Sequence, residues 1–282
     1  NLTADLIKIW RPEISITVHR DYGLPADIKK EEALGLILSS YSGNTEEVID
    51  AFEKAREREW PFLVVTTGGK LLALAKEFGA PHIQLPDLGL QPRAALGLSL
   101  LGILKAIGDD RGLEETVKLA DILEPLHYEQ YGKELAKKIK GYIPVIYSSN
   151  KNRGLAYSWK IKFNETGKIP AFMNVLPELN HNEMSGFDMI KETGDLMRKF
   201  FFIFLEDGED HPQIKRRMSI LKTLFDERHL SVETIKLEGV NVFHKIFSSI
   251  ILADWSSYYI ALEFKVDPDA VRLVEEFKKR IS

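Results

Sequence analysis

The stretch Ala33-Leu-Gly-Leu-Ile-Leu-Ser-Ser-Tyr-Ser-Gly-Asn-Thr-Glu-Glu47 determines how the rest of the chain is interpreted. Its apolar run, Leu34–Leu38, is long enough for a strand that is buried on both faces. A polar turn follows the run, and the spacing of Asn44 and Glu47 predicts a capping box at the start of a helix. The sequence therefore predicts a strand, a hydroxyl-rich turn and a helix in direct succession.

Such a strand–turn–helix segment is suited to bind an anion. Free backbone N–H groups and the positive end of the helix dipole face the turn, and Ser and Thr hydroxyls add donors. The turn holds no Lys or Arg, and neither the Walker pattern nor the GxGxxG fingerprint is present, which favours a small phosphomonoester over a nucleotide with magnesium. A turn rich in Ser, Gly and Asn can also serve chain reversal alone. Composition leaves both interpretations open.

Length, charge and cysteine content limit the classes of protein that fit. With 282 residues and 44% hydrophobic side chains, the chain suits one large or two medium domains with substantial cores. A net charge of −4 argues against nucleic-acid or anionic-membrane partners. The absence of cysteine excludes disulfides and thiolate metal sites and favours a reducing compartment, so we expect a cytoplasmic protein. The apolar segment Leu96–Ile107 is shorter than the ~18 residues of a membrane span.

Apolar runs and amphipathic stretches alternate along the chain, which predicts parallel, doubly wound sheets. The expected strands are Ile14–Val18, Leu34–Leu38, Phe62–Val65, His82–Leu85, Tyr142–Asn150 (which ends in Ser-Ser and a polar turn), Phe200–Leu205 and Thr234–Leu237. The expected helices are Glu46–Arg58, Leu71–Phe78, Leu96–Ile107, Glu114–Leu123, Glu129–Lys140, Arg153–Glu165, His211–Phe225, Val242–Phe264 and Ala270–Ile281.

The pattern restarts about 110 residues after the first strand, which suggests two copies of one α/β domain. Tyr142–Asn150 is again an apolar run that ends in Ser-Ser and a polar turn. The stretch around Glu124 and Pro125 is the expected boundary between the two halves. The second copy lacks the Ser-Gly-Asn-Thr cluster, so we expect only the first to bind phosphate.

Three further stretches contain candidate chemistry. Pro92 at a first helical turn would place Arg93 in a loop at the carboxyl edge of the sheet, where ligands of open α/β sheets bind. Glu165 closes a predicted helix and is a candidate general base. For Arg93 and Glu165 alike, the alternative is an ordinary surface side chain.

The third stretch is Leu176–Met184. Glu178 and His181 have the Glu-x-x-His spacing of carboxylate-bridged metal sites, and Glu183 adds a third possible ligand. Such sites need two copies of the motif and the chain has one, so we expect no metal here. A structural histidine and a proton-transfer histidine remain as alternatives for His181.

The Ser-Tyr-Ser-Gly-Asn-Thr-Glu-Glu string resembles the phosphosugar loop of the sugar isomerase (SIS) domain. Three further motifs follow in the chain: the Pro-Arg-Ala-Ala-Leu run, the Asn-Glu before Pro-Glu-x-x-His-Asn, and the closing Phe277–Ile281. In this combination of motifs, the whole chain resembles the bifunctional phosphoglucose/phosphomannose isomerases of archaea and some bacteria. This resemblance implies two SIS-type (flavodoxin-like) three-layer α-β-α domains with parallel sheets, and a C-terminal helix that closes the active site. It implies a homodimer, hexose 6-phosphate substrates, and neither a metal nor another cofactor.

The resemblance also assigns roles to individual residues. It implies that Ser40, Ser42 and Thr45 bind the substrate phosphate. It implies that Glu165 moves a proton between C2 and C1 through a cis-enediol, and that Arg93 stabilises the charge on the enediolate oxygen. His181, from the partner subunit, and Lys278, on the last helix, would assist ring opening. Lys279 and Arg280 are rivals of Lys278, which is preferred because apolar Phe277 and Ile281 would anchor its turn to the body.

The implied domains are 1–125, 126–265 and a C-terminal helix in 266–282. SIS domains usually begin with a strand and a Gly-Gly-Ser-Gly turn, whereas this chain begins in a helix, so we expect the first strand to be missing. Relatives commonly have a threonine where this chain has Val271, which makes mannose 6-phosphate the less favoured substrate. His211 is interpreted as a helix-start residue. Another SIS sugar-phosphate isomerase and a non-catalytic phosphosugar sensor are the alternative functions.

Overall fold

The computed structural model of this chain describes residues 2–26 and 35–281. Contacts divide the chain into two compact units. We call Trp10–Ala120 the first unit, and Asn1–Ile9 with Asp121–Ser282 the second unit. Of the predicted strand Leu34–Leu38, Leu34 lies outside the described residues.

The first unit contains a parallel sheet whose strands follow one another in chain order. The strands are β1 (Leu36–Ser39), β2 (Phe62–Thr66) and β3 (His82–Gln84). The helices are α2 (Glu46–Glu57), α3 (Gly69–Glu77), α4 (Leu96–Ala106), α5 (Asp110–Val117) and α6 (Leu119–Ile122). The last two residues of α6 belong to the second unit. Helix α1 (Leu2–Trp10) also belongs to the second unit, except for Trp10. Leu38 and Val64 pack with Phe52 and Leu71 in the core. Burial of this apolar surface, and not helix propensity alone, fixes α2 and α3 on the sheet.

The second unit contains a four-stranded parallel sheet in the order β5-β4-β6-β7. The strands are β4 (Ile143–Ser149), β5 (Phe172–Leu176), β6 (Phe200–Asp207) and β7 (Ser231–Leu237). The helices are α7 (Glu129–Ile139), α8 (Arg153–Glu165), α9 (Gly194–Met197), α10 (Pro212–Glu227), α11 (Val242–Glu263) and α12 (Arg272–Ile281).

Two helical layers cover this second sheet, which gives the expected three-layer arrangement. On one face, Tyr147 and Phe202 pack against Phe225 of α10. The opposite layer contains α7, α8 and α11, and Trp159 of α8 donates a hydrogen bond to Ser249 of α11 at 2.9 Å. The α/β class and the parallel sheets predicted from the alternation of apolar runs are therefore confirmed.

Two strand predictions need correction. Ile14–Val18 forms no strand, although Ile14 and Ile16 are less exposed than the residues between and after them. An alternating pattern makes a strand only where a neighbour accepts its backbone hydrogen bonds, and this segment has no ladder partner among the described residues. Phe172–Leu176, which was not predicted, is an edge strand paired with β4. Among the described residues, no helix is long and apolar enough to cross a membrane.

Candidate active site

The serine loop between β1 and α2 carries the three predicted hydroxyls and brings two of them, those of Ser40 and Thr45, into contact. The Oγ atom of Ser40 lies 2.8 Å from Oγ1 of Thr45 and accepts a hydrogen bond from the Gly43 amide at 3.1 Å. The Oγ atom of Ser42 accepts from the Asn44 amide at 3.3 Å. Ser40 is buried, whereas Ser42 and Thr45 are exposed at the mouth of the loop. The loop therefore presents hydroxyls at the N-terminus of α2, where the helix dipole favours an anion.

The predicted capping box is wrong, because Thr45 and not Asn44 is the N-cap of α2. The Thr45 side chain makes no capping hydrogen bond, since its hydroxyl contacts Ser40. Asn44 instead uses its Oδ1 to accept from the Lys70 amide at 3.0 Å, in the first turn of α3. The asparagine thus joins two loops, and the Thr45 hydroxyl stays at the site.

The loop after β2, Thr66-Thr67-Gly68-Gly69, holds the serine loop in place and was not assigned a role from sequence. The Thr67 hydroxyl donates to the Tyr41 carbonyl at 2.7 Å, and the Leu71 amide donates to the Gly43 carbonyl at 2.9 Å. A methyl group on Gly43 would lie 1.8 Å from the Gly68 carbonyl oxygen. The signal was available, because the carboxyl ends of neighbouring parallel strands β1 and β2 must lie side by side.

Arg93 lies in a short 3-10 helix, Pro92–Ala94, that begins with the predicted proline. It follows β3, as the carboxyl-edge prediction required. Arg93 is only 8% exposed, which rules out the alternative of a solvated surface arginine. A guanidinium stays charged at any physiological pH, so the first unit holds a buried, fixed positive charge.

Glu165 is the last residue of α8 and is half-buried. After it the chain turns at Lys168, which adopts a φ of 56°. The amine of Lys168 donates to the Glu165 carbonyl oxygen and to two carbonyls that precede α12. The backbone around the candidate base is therefore held from several directions.

His181 ends a short 3-10 helix, Glu178–His181, and its side chain is exposed. The neighbouring carboxylates are engaged elsewhere: Glu178 accepts from Asn182 at 2.8 Å, and Glu183 accepts from Tyr147 and Asn174. Burial and this hydrogen bond raise the pKa of Tyr147. Among the described residues, no group of three His, Cys, Asp or Glu side chains is placed to hold a metal ion.

Lys278 lies on α12, which buries none of its side chains. It forms an ion pair with Glu275 at 3.6 Å. The expected anchoring is wrong for this chain, because Phe277 and Ile281 are 61% and 50% exposed. Lys279 and Arg280 are exposed as well, so burial does not separate them from Lys278. His211, by contrast, is the N-cap of α10 and accepts from the Gln213 amide at 3.1 Å, which confirms its interpretation as a helix-start residue.

The second unit fills its corresponding strand–turn–helix segment from within. At the N-terminus of α8, the Gly154 amide donates to Oδ2 of Asp5 on α1 at 2.7 Å. A carboxylate of the chain itself thus takes the place that an anion could occupy at that helix end. That only the first unit binds phosphate stays a prediction.

This chain has a parallel α/β fold, and a hydroxyl-rich loop follows its first described strand. These two features are typical of SIS-type phosphosugar proteins. Among solved structures, glucosamine-6-phosphate deaminase from Thermotoga maritima has a similar fold, with a TM-score of 0.62 and 14% identity over 95% of this chain and 83% of that one. Tagatose-6-phosphate ketose/aldose isomerase from Escherichia coli has a TM-score of 0.62 and 14% identity over 94% of this chain and 74% of that one.

Sequence comparison identifies the family within this class of proteins. Residues 128–281 match the family model of the bacterial phospho-glucose isomerase C-terminal SIS domain. The bifunctional phosphoglucose/phosphomannose isomerase of Aquifex aeolicus is 36% identical over 94% of this chain and 80% of its own. The enzyme of the same name from Caldicellulosiruptor bescii is 36% identical over 96% of this chain and 82% of its own. The chain belongs to the bifunctional phosphoglucose/phosphomannose isomerase family.

Proposed function

We propose that this chain is an aldose–ketose isomerase that interconverts glucose 6-phosphate, and also mannose 6-phosphate, with fructose 6-phosphate. The observation that carries the proposal is the 36% identity to two isomerases of that name over at least 94% of the chain. The hydroxyl-rich loop of the first unit supports it, because a built anion site suits the phosphate of such a substrate.

In this proposal Ser40, Ser42 and Thr45 bind the phosphate at the non-reacting end of the sugar. Their hydroxyls and the amides at the start of α2 supply neutral donors, which hold a phosphomonoester without a metal counter-ion. Binding at this end fixes the position of C1 and C2 for the chemical step.

The chemical step is a proton transfer. The Glu165 carboxylate removes the C2 proton of the open-chain aldose, and the electrons of that C–H bond form the C1–C2 double bond while the C1 carbonyl electrons move onto O1. O1 takes up a proton from water, which gives a cis-enediol. O2 then gives up its proton to water and forms the C2 carbonyl, while the electrons of the C1–C2 double bond take the proton back from the Glu165 carboxyl at C1. The Arg93 guanidinium stabilises the negative charge that develops on oxygen. No electrons leave the substrate, so the reaction needs no redox cofactor.

Ring opening precedes this step. We assign it to His181, reaching in from the partner subunit of a homodimer, and to Lys278. The exposure of His181 supports this assignment, because an exposed imidazole is available to a second chain. We also propose the domain division 1–125, 126–265 and 266–282, and a cytoplasmic location.

A non-catalytic phosphosugar sensor of the SIS class would keep the serine loop but would need neither Glu165 nor Arg93. The two alternatives therefore differ in turnover and not in binding. A different SIS isomerase would act on another sugar phosphate, so substrate choice separates it from the present proposal.

The experiment is a coupled assay with fructose 6-phosphate in EDTA-containing buffer, with glucose 6-phosphate and mannose 6-phosphate detected separately. We expect both products, with mannose 6-phosphate formed more slowly because Val271 lacks the threonine hydroxyl of relatives. Absence of both products would contradict the isomerase proposal. Loss of turnover caused by EDTA alone would contradict the metal-free mechanism.

A further inference from the structure

Lys168 connects two parts of the second unit that lie far apart in sequence. Its Nζ donates to the backbone carbonyl of Glu165, and also to the carbonyls of Pro268, at 3.1 Å, and Ala270. The first carbonyl belongs to the residue proposed as the base. The other two belong to the segment that leads into α12, which begins at Arg272. The three N–H groups of one ammonium thus match three acceptors.

The backbone of Lys168 makes this choice of residue unusual. Its φ of 56° is left-handed and lies three residues after the end of α8, a backbone conformation that glycine, and less often asparagine, adopts most readily. A side chain there costs free energy that glycine would not. Glycine would adopt this backbone conformation at a lower cost in free energy. The hydrogen bonds of the Lys168 side chain must therefore offset the difference.

Helix α12 buries none of its own side chains. Leu273 and Phe277 are 80% and 61% exposed. Backbone contacts near its start are local, such as the Glu275 amide to the Val271 carbonyl at 3.0 Å. The hydrogen bonds from Lys168 are therefore a main constraint on where the segment carrying α12 begins.

We propose that Lys168 is a positioning residue of the isomerase, whose ammonium holds the Pro268–Ala270 segment against the end of α8 where Glu165 lies. The proposal rests on the proposed function. Because its ammonium bonds the backbone carbonyls of Glu165, Pro268 and Ala270, it acts through the placement of Glu165 and of the segment that carries Val271 and Lys278. Small displacements of reacting groups are costly in rate, and a shift of about 1 Å can lower it about 100-fold.

The test is Lys168→Gly, which relieves the left-handed backbone while it removes the ammonium. The matched control is Lys265→Gly, because Lys265 has the same φ of 56° after a helix and an exposed side chain. We expect Lys168→Gly to lower kcat about 10- to 100-fold with KM for fructose 6-phosphate within about threefold. Amide hydrogen exchange of residues 268–281 should become at least about tenfold faster while that of β4 is unchanged. Lys265→Gly should match the wild type in kcat and in the exchange of β4.

A wild-type kcat in Lys168→Gly, or unchanged exchange of residues 268–281, would overturn the proposal and leave Lys168 as a helix terminator only. Lys168→Met, which keeps the alkyl stem but no charge, should show the same two effects, and a normal kcat in it would likewise overturn the proposal. The exchange measurement needs no turnover. If the wild type lacked isomerase activity, the proposed function would fail, and the exchange rates would still decide whether Lys168 holds the segment.

Discussion

Two half-buried glutamates of the second unit, Glu165 and Glu183, have different places in the fold. Both oxygens of Glu183 accept hydrogen bonds, one from the Tyr147 hydroxyl and one from the Asn174 amide. Because both of its oxygens already accept hydrogen bonds from the protein, this carboxylate is unsuited to exchange protons with a substrate. Glu165 ends α8 beside the Lys168 turn, and its own backbone carbonyl accepts a hydrogen bond from the Lys168 ammonium. A general base needs this kind of fixed placement.

Glu165→Gln keeps the shape of the side chain and removes its basicity. We expect kcat to fall by about 10²- to 10⁴-fold with KM little changed, because general-base catalysis supplies about that factor. The control is Glu227→Gln, since Glu227 is also the last residue of a helix but is exposed. Activity of Glu165→Gln within about threefold of the wild type would assign the base to another residue.

At the scale of single residues, the sequence predicted which residues lie in the serine loop better than it predicted their hydrogen-bond partners. Ser40 and Thr45 do come into contact, because both lie in one short turn, whereas the Ser42 hydroxyl between them bonds the Asn44 amide. Asn44 was misassigned, because capping rules consider only the residue's own helix, whereas its acceptor reaches Lys70 on α3. Contacts of Lys168 with Pro268 and Ala270 join positions that no local pattern connects.

Among the elements, the two loops after β1 and β2 act as one structural unit. Gly43 and Gly69 have φ values of 69° and 66°, and a methyl group on either would come within 2.4 Å of a backbone oxygen of the other loop. Glycine is required here for two reasons, the left-handed backbone and the close approach. The shape of the serine loop therefore depends on its close contact with the neighbouring loop.

Gly43→Ala tests this contact. We expect it to lower the free energy of unfolding by about 3 kcal/mol and to weaken binding of inorganic phosphate. Gly79→Ala is the control, because Gly79 also has a left-handed φ, 64°, but nothing lies within 4 Å of an added methyl group. The control should lose only about 1 kcal/mol from backbone strain. Equal losses in thermal or urea unfolding would contradict the role of the close approach.

A charged cluster occupies the carboxyl ends of β4 and β6 in the second unit. Asp207 is buried, and its carboxylate binds the Lys245 ammonium at 3.0 and 3.2 Å and accepts from Asn152 at 3.0 Å. Burial by itself would raise the pKa of Asp207, but the hydrogen bonds from Asn152, the Glu209 amide and Lys245 outweigh it and lower the pKa to about 2. The carboxyl edge of this sheet is thus filled by an internal ion pair.

This shift makes stability depend on pH. The folded pKa of Asp207 lies below its unfolded value of about 3.9, so its contribution is present above that value and is lost as pH falls towards 2. The contribution is about 2 kcal/mol. Asp207→Asn should cost about 2 kcal/mol at pH 7, because Lys245 loses its buried counter-charge and keeps only the exposed carboxylate of Glu209, at 2.9 Å. It should also flatten the loss of stability between about pH 5 and pH 2.

The control for this pair is Asp226→Asn, which removes an exposed ion pair with Lys222. It should cost no more than about 0.5 kcal/mol and leave the pH dependence intact. Urea unfolding at pH 7, 5 and 3 measures all three proteins. The same acid slope in Asp207→Asn as in the wild type would contradict the assignment of this slope to Asp207.

Element prediction succeeded where burial alone decides the structure. β4 and β6 are continuous apolar runs buried on both faces, and Arg153–Glu165 was predicted to the residue. It failed at sheet edges: Ile14–Val18 has the right alternation without a partner, and Phe172–Leu176 pairs on one side only. Edge strands depend on a neighbour that local sequence does not reveal.

On the scale of the whole molecule, the two units share one α/β plan. They differ in the side chains at the carboxyl edges of their sheets and at the N-termini of the helices that follow. The first unit keeps open hydroxyls at a helix N-terminus and a buried arginine. The second unit fills its equivalent helix end with Asp5 and its sheet edge with Asp207 and Lys245. The proposed base, Glu165, and His181 lie in this second unit.

Subunit mixing tests whether His181 serves a partner chain. Glu165→Gln and His181→Ala homodimers should each be nearly inactive. After they exchange subunits, half of the dimers are mixed and each mixed dimer regains one complete site, so about one quarter of wild-type activity should return. Sites confined to single chains would regain nothing on mixing, and a monomeric sedimentation mass would contradict the shared site directly.

The most direct measurement of the central claim is the conversion of fructose 6-phosphate in D₂O, followed by NMR of the glucose 6-phosphate formed. A carboxylate that carries the proton between C1 and C2 exchanges part of it with solvent, so the account predicts deuterium at C2 of the product with the wild type and almost no product with Glu165→Gln. Absence of glucose 6-phosphate with the wild type would contradict the isomerase function. Product formed at the wild-type rate by Glu165→Gln would contradict the role of Glu165 as the base.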